Sequence, residues 1–227
     1  MSKVFSYTGR DNLDAMSFAK KYNNHIYTWL SQGLVEDGSV LDFGAGHGEF
    51  FNRFQNDKVS AEAIEPDLSM HQYYPNKVIH QSIEEVEKKF NLIYSVNVLE
   101  HIYDDEAVVK LFKNYLIDKN STIKIFVPAR QELFSAMDKK VGHYRRYSKY
   151  QLEKLFVDNG YVIKSCHYFD SLGYFAAFIY KFVNKDGNIS KRGIVLYDTY
   201  ALPLSIIADK IFCRFFGKNI ILEASLK

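Results

Sequence analysis

The chain is poor in cysteine, carries one tryptophan and almost no net charge, and has no apolar run long enough to span a membrane. Its two cysteines, Cys166 and Cys213, stand far apart with no second Cys beside either. That excludes a disulfide framework or a Cys-x-x-Cys metal site and reads as free, buried thiols of a reducing compartment. Lys and Arg number 29 against 27 Asp and Glu, for a net charge of +2. With no long basic run, the electrostatic footprint of a nucleic-acid binder is missing. Met1 to Arg10 has no apolar signal core, and Leu172 to Tyr180, the longest apolar stretch, is about half a membrane span. A soluble cytoplasmic protein without membrane contact is expected. No period of about 20 to 50 residues recurs and no stretch is low in complexity, which excludes solenoids and linkers. There is no Gly-x-Ser-x-Gly elbow and no Gly-Lys-Ser phosphate loop, which removes the common hydrolases and nucleoside triphosphatases.

What is present is an ordinary globular balance, 47% hydrophobic and 25% charged over 227 residues, enough to bury a real core. Aromatics are in surplus, with 18 Phe and 17 Tyr, pointing to a dense core or an aromatic-lined pocket. Apolar or β-branched runs at Ser39 to Phe43, Ser60 to Ile64, Lys77 to His80, Asn91 to Val96, Thr122 to Val127 and Tyr161 to Cys166 alternate with helix-compatible stretches. Among the latter are His47 to Asn56 and Asp104 to Leu116, whose apolar residues recur at offsets of three and four. Strands separated by helices force crossover connections, so the fold class is α/β, a doubly wound, mostly parallel sheet with helices on both faces. The first 35 residues form a helical cap, residues 36–166 the core, and residues 167–227 a looser end: a helix near Leu172 to Val183, a polar break at residues 184–188, a helix near Pro203 to Phe216 and a strand from Asn219. The whole, 1–227, is expected to be one domain.

The strongest local signal is Val40-Leu41-Asp42-Phe43-Gly44-Ala45-Gly46-His47-Gly48, a buried strand running into glycines and then a helix. Glycine there permits backbone angles barred to other residues and lets a ligand approach the main chain. Glu65, at the tip of the next strand, can accept both hydroxyls of a ribose. The spacing is G-x-G-x-G, not the G-x-G-x-x-G of dinucleotide folds, so a nucleoside without pyrophosphate fits better. A tight strand-to-helix turn with a solvated Glu65 is the alternative.

These residues, with Ala63-Ile64-Glu65-Pro66-Asp67, Ser95-Val96-Asn97-Val98-Leu99-Glu100-His101-Ile102 and Gly142-His143-Tyr144-Arg145-Arg146-Tyr147-Ser148, resemble class I S-adenosylmethionine-dependent methyltransferases of the small-molecule branch. The likeness covers about Tyr7 to Lys227. It implies a Rossmann-like sheet of seven strands whose antiparallel last strand, from Asn219, lies between the fifth and sixth. It also implies S-adenosylmethionine as cofactor, with Gly44 and Gly46 beneath its methionine part and Glu65 on the ribose. Asp42 would hold the loop or meet the ammonium group through water, and Asn97 would use its backbone carbonyl for that group. Ser82 stands where the family often has an acid, so adenine would rest on Ser82 and the Ile83 N–H. Tyr22 would face the sulfonium, where cation–π attraction is worth about 0.5–2 kcal/mol, or simply pack in the core.

Methyl transfer in this family is direct in-line displacement onto a hydroxyl or amine of a small molecule. A hydroxyl usually needs a base, and His101 and His143 stand at useful places. Arg145 or Arg146, with Tyr147, would fix an anionic acceptor; a salt bridge anchoring this loop to the sheet is the alternative. Metal binding is not expected, because His101, Asp104 and Asp105 lack a diagnostic spacing. The aromatics after Asp170 line the acceptor pocket or pack extra helices on the sheet. Apolar residues near Lys181, Lys185, Lys191 and Arg192 are a minor sign of lipid contact, and a homodimer is possible. Two rivals remain: an NAD-dependent oxidoreductase, weakened by the glycine spacing, and a non-catalytic S-adenosylmethionine-binding protein.

Overall fold

The computed structural model describes residues 7–74 and 77–227. In chain order the elements are α1 (Arg10–Met16), α2 (Lys20–Ser31), β1 (Ser39–Phe43), α3 (Glu49–Asn56), β2 (Ser60–Ile64), β3 (Ile79–His80), β4 (Leu92–Val96), α4 (Asp105–Phe112), β5 (Thr122–Pro128), α5 (Ala136–Val141), α6 (Lys149–Asp158), β6 (Tyr161–Phe169), α7 (Ser171–Val183), α8 (Lys191–Leu196), α9 (Leu202–Phe212) and β7 (Asn219–Leu226). The strands form one seven-stranded sheet in the order β3-β2-β1-β4-β5-β7-β6. β1 to β5 pair in parallel, and β7 runs antiparallel between β5 and β6. Both the doubly wound sheet and the inserted antiparallel strand are as expected.

Each face of the sheet buries its own core, as strands covered on both sides must. Leu41, Phe43, Ile93, Ile123 and Ile125 pack under α4 and α6 with Val109, Phe112, Leu152 and Phe156. Val40, Ala63, Leu92, Tyr94 and Phe126 pack under α2 and α3 with Ile26, Leu30, Phe51 and Phe54. Lys124 interrupts the apolar run of β5, yet it is buried and its Nζ donates to the carbonyls of Trp29, Leu30 and Gln32 at 2.8, 3.2 and 2.5 Å. These are orphan carbonyls at the C-terminal end of α2, where a cation is favoured.

Some boundaries move for physical reasons. The third strand keeps only Ile79 and His80 of the expected Lys77 to His80, because it pairs only with the end of β2 at the sheet edge. β6 runs on to Phe169 because β7 continues to pair with it. The helix expected over Asp104 to Leu116 keeps Asp104 as an N-cap, its side chain accepting from the Ala107 N–H, and tightens to a 3₁₀ turn at Lys113. Cys166 and Cys213 are free, but half-buried rather than buried.

Candidate functional site

The glycine loop crosses the carboxyl ends of β1 and β4. Gly44, Gly46 and Gly48 all take left-handed angles, with φ of 88°, 54° and 74°, which side chains disfavour. A Cβ on Gly44 would lie 2.4 Å from Val98 Cγ2, so the loop needs glycine for space as well as for angle. The loop is pinned to β2, with the Gly44 and Ala45 N–H groups donating to the Ile64 carbonyl at 2.9 and 3.1 Å.

Glu65 closes the arrangement. Its Oε2 accepts from the Gly46 N–H at 2.8 Å and its Oε1 from the Asp67 N–H at 2.9 Å. Each oxygen keeps a second lone pair. Burial raises its carboxyl above the usual range, against the pull of those two N–H groups. Asp42 lies beneath the loop, buried, and accepts from the Tyr94 hydroxyl at 2.9 Å. Burial pushes it up to about 7 in spite of that bond. Its partners are Tyr94 on β4 and the main chain of Phe51 on α3, not the glycine loop itself.

Asn97, just past β4, also takes a left-handed angle, φ 53°, while its N–H donates to the Phe126 carbonyl at 2.8 Å. Asparagine tolerates that conformation better than most residues, and it breaks the line of β4 at the mouth of the site. Ser82 is half-buried with no side-chain capping bond, and Ile83 is buried against the core. Tyr22 is buried too, but its ring carries Lys218 Nζ at 5.0 Å and its hydroxyl accepts from Asn219. The face expected for a sulfonium is thus taken by a lysine.

The N-terminal segment lies over this cleft. The Tyr7 N–H and Arg10 Nη2 donate to Asp67 Oδ2 at 2.9 and 2.8 Å. A Cβ on Gly46 would lie 3.1 Å from Leu13 Cδ2, so α1 rests on the loop. Tyr7 packs edge-on against His101, centroids 5.5 Å apart. Its phenol is pushed up to about 12 by burial and by the carboxyls of Glu100 and Glu65. Tyr7 thus sits over the mouth of the site, close to the buried carboxyls of Glu65 and Glu100.

Beside that mouth the structure brings His101 and His143 together, ring centroids 4.5 Å apart. Burial and the neighbouring imidazole lower His101 to about 4. His143 Nδ1 is 2.7 Å from Asp138 Oδ1, and its Nε2 is 3.6 Å from Glu100 Oε1. Burial alone would raise Asp138, but the His143 hydrogen bond and the Arg146 guanidinium hold it at about 2. Arg146 is buried and donates from Nε and Nη2 to Asp138 at 2.8 and 3.1 Å. Arg145 pairs with Asp105 at 2.7 Å, and the Tyr147 hydroxyl donates to the same carboxylate at 2.6 Å. All three residues expected to grip an acceptor are engaged within the chain. Asp138 and Glu100, which organise the cluster, were missed. The only sequence signal for Asp138 was its place three residues after Ser135, with which it forms a capping box.

A family model of methyltransferase domains matches residues 15–165. No curated protein matches the chain. Among solved structures, a chain from the complex of the Haloferax volcanii Trm112 methyltransferase activator with a methyltransferase aligns at a TM-score of 0.64 and 11% identity, covering 96% of this chain and 94% of that one. A SAM-dependent methyltransferase from Archaeoglobus fulgidus aligns at 0.61 and 15%, covering 94% and 98%. Magnesium protoporphyrin IX methyltransferase from Synechocystis, with bound SAM, aligns at 0.56 and 12%, covering 98% and 86%. At these identities the likeness is one of fold, and the family match carries the activity class. The chain belongs to the methyltransferase-domain family and has the Rossmann-like fold of the class I, S-adenosylmethionine-dependent methyltransferases.

Proposed function

We propose that this methyltransferase moves a methyl group from S-adenosylmethionine to a hydroxyl, or alternatively an amine, of a small molecule by in-line displacement. The observation that carries the reading is the loop of three left-handed glycines whose Gly46 N–H is held by Glu65 at 2.8 Å. It exposes main chain for close approach beside a carboxylate with free lone pairs, and so suits a nucleoside without pyrophosphate. When bound, the sulfonium supplies an activated methyl group. The residues assigned to holding it are Gly44, Gly46, Glu65, the main chain of Asn97, and Ser82 with the Ile83 N–H. Asp42, at the end of β1, ties that strand to β4 through Tyr94 just before the loop. The role of the chain is then to position the reactants, worth up to roughly 7–11 kcal/mol in ideal intramolecular cases.

The acceptor belongs at the mouth between Glu65 and Glu100, with His101 and His143 on its wall. Asp138 and Arg146 position His143 rather than touch the acceptor. Thermal unfolding with and without ligand tests the reading. A ligand at about 100 times its dissociation constant adds roughly 2.7 kcal/mol, and each kcal/mol raises the midpoint by roughly 2–4 °C at this size. Stabilisation by S-adenosylmethionine and its demethylated product, lost in Glu65→Ala, is the expected result. Stabilisation by NAD instead, or none by any of the three, overturns it. Methyl-labelled cofactor incubated with hydroxyl and amine acceptor panels then separates O- from N-transfer.

A further inference from the structure

We propose that Glu100, His101 and His143 form a binding site for one divalent transition-metal ion of the zinc class. One ligand atom from each of the three lies within 4.8 Å of the others. His143 Nε2 and Glu100 Oε1, at 3.6 Å, are already close to the roughly 3.3 Å edge of a tetrahedron of zinc ligands with bonds of about 2.0–2.1 Å. Glu100 is fully buried, and among the described residues neither of its carboxylate oxygens receives a hydrogen bond. A buried carboxylate without partners is expensive, and a cation removes that cost.

The surroundings match as well. Asp138 accepts from His143 Nδ1 at 2.7 Å and is itself fixed by Arg146. That is the carboxylate–histidine arrangement that orients a metal-bound imidazole and leaves Nε2 for the ion. The His101 ring packs against Tyr7 and His143, with centroids 5.5 and 4.5 Å away. Two imidazoles and one carboxylate select zinc-like ions over magnesium or calcium, which prefer oxygen, and three protein ligands leave a position open.

The catalytic consequence, unlike the binding, rests on the reading under Proposed function. An acceptor hydroxyl at the open position loses its proton to solvent more readily. Its oxygen then forms the bond to the methyl carbon, while the carbon–sulfur bond breaks with its electron pair staying on sulfur. To test the site, chelator-treated protein is titrated with Zn²⁺ by calorimetry and with Co²⁺ by visible absorption. One ion per chain is expected, with affinity at least tenfold weaker in His101→Ala, His143→Ala and Glu100→Gln. Glu100→Gln nearly keeps the shape of a group with no hydrogen-bond partner to lose, so its unfolding midpoint in chelator should not fall below that of the parent. Absence of stoichiometric binding by the parent, or equal binding by folded variants, overturns the site. S-adenosylmethionine binding is measured separately in chelator. Failure there with Zn²⁺ retained sinks the functional reading and leaves the metal site standing.

An independent observation concerns the opposite character of the C-terminal helices, and we infer from it that they dock on an anionic membrane surface. Phe178, Ile179 and Phe182 of α7 and Ile207 and Ile211 of α9 are 42–66% exposed. Phe175 of α7 meets Phe216 beyond α9 with ring centroids 5.5 Å apart, which joins the two surfaces into one apolar face. Contiguous faces of this kind mark interaction sites. No described helix is long and apolar enough to cross a membrane, so the helices would lie in the interface. The exposed charge of the same C-terminal segment selects the partner. Lys185, Lys191, Arg192, Lys210 and Arg214 are exposed, whereas Asp198 is buried and Asp209 half-buried, leaving Asp186 as the exposed acid of this segment.

Flotation of the full chain with phosphatidylglycerol-containing vesicles, against phosphatidylcholine alone, tests the docking. Binding to the anionic vesicles is expected, at least fivefold weaker in Phe182→Ser/Ile207→Ser and in Lys191→Glu/Arg192→Glu. Protein that stays in the soluble fraction with both vesicles overturns the inference. So does a dimer by light scattering that is abolished by Phe182→Ser/Ile207→Ser without any flotation, since a second copy would then be the occupant.

Discussion

The carboxyl-end cleft and the C-terminal helical layer solve opposite problems with the same chain. In the cleft the main chain does the recognising: left-handed glycines, an N–H held by Glu65 and a twisted Asn97 open the backbone to a ligand. In the helical layer buried side chains hold backbone to backbone. Asp170 Oδ1 accepts from the Gly173 N–H at 3.0 Å and from the Tyr197 and Ser205 hydroxyls, and its Oδ2 meets Lys218 Nζ at 3.0 Å. Asp209 accepts from the Asp170 and Ser171 N–H groups, and Asp198 from those of Lys21 and Tyr22. The layer is thus anchored inward by carboxylates, which frees its outer surface to stay apolar. A site is built where backbone groups are left available, and a scaffold where side chains consume them.

The sharpest way to break this contrast is at Asp170. Asp170→Ala removes a fully buried carboxylate from half-buried Lys218 and Tyr197 and buried Ser205 and should cost about 3–5 kcal/mol, read by denaturant unfolding, with α7 and α9 the first helices to lose hydrogen-exchange protection. Gly44→Ala comes next. The left-handed angle costs roughly 1–2 kcal/mol and the clash with Val98 roughly 1–3 kcal/mol, so both the unfolding midpoint and cofactor affinity by calorimetry should drop. Glu65→Ala should act on affinity more than on stability, weakening S-adenosylmethionine at least tenfold, since hydrogen bonds to charged groups are worth about 1.5–3 kcal/mol.

Asp42 sharpens the comparison through pH. Its carboxyl titrates at about 7 in the folded chain, against about 3.9 when unfolded. Between those values the native state keeps a proton that the unfolded chain has released. This group's contribution to stability therefore falls as pH rises from about 4 to 7, by up to roughly 1.4 kcal/mol per pH unit. Asp42→Asn should flatten that part of the stability–pH curve, followed by urea unfolding across the range. The smallest effect belongs to the outer face of the helical layer. Phe182→Ser should change unfolding free energy by no more than about 0.5 kcal/mol, because its side chain is already largely in water.

Much of this was legible beforehand, for local reasons. β1, β2 and β7 begin where the apolar runs begin, because strands buried on both faces read as continuous apolar stretches. The glycines and Glu65 meet because they end neighbouring parallel strands, paired at Phe43 and Ile64. Arg145, Arg146 and Tyr147 were read from their chemistry as acceptor contacts or as a salt-bridged anchor, and the second is what the ion pairs show. Sequence spacing carries no sign that Asp105 and Asp138 would fold back on them.

The sequence by itself determined the layer architecture, the glycine loop and the acid at the tip of β2, since hydrophobic period and backbone freedom are properties of adjacent residues. Only the tertiary structure decided that His143, from the loop after α5, lies beside Glu100 and His101 after β4, and that buried Lys124 caps α2. Those pairings depend on long-range closure, where the cost of burying a charge is settled by whichever distant partner the fold delivers.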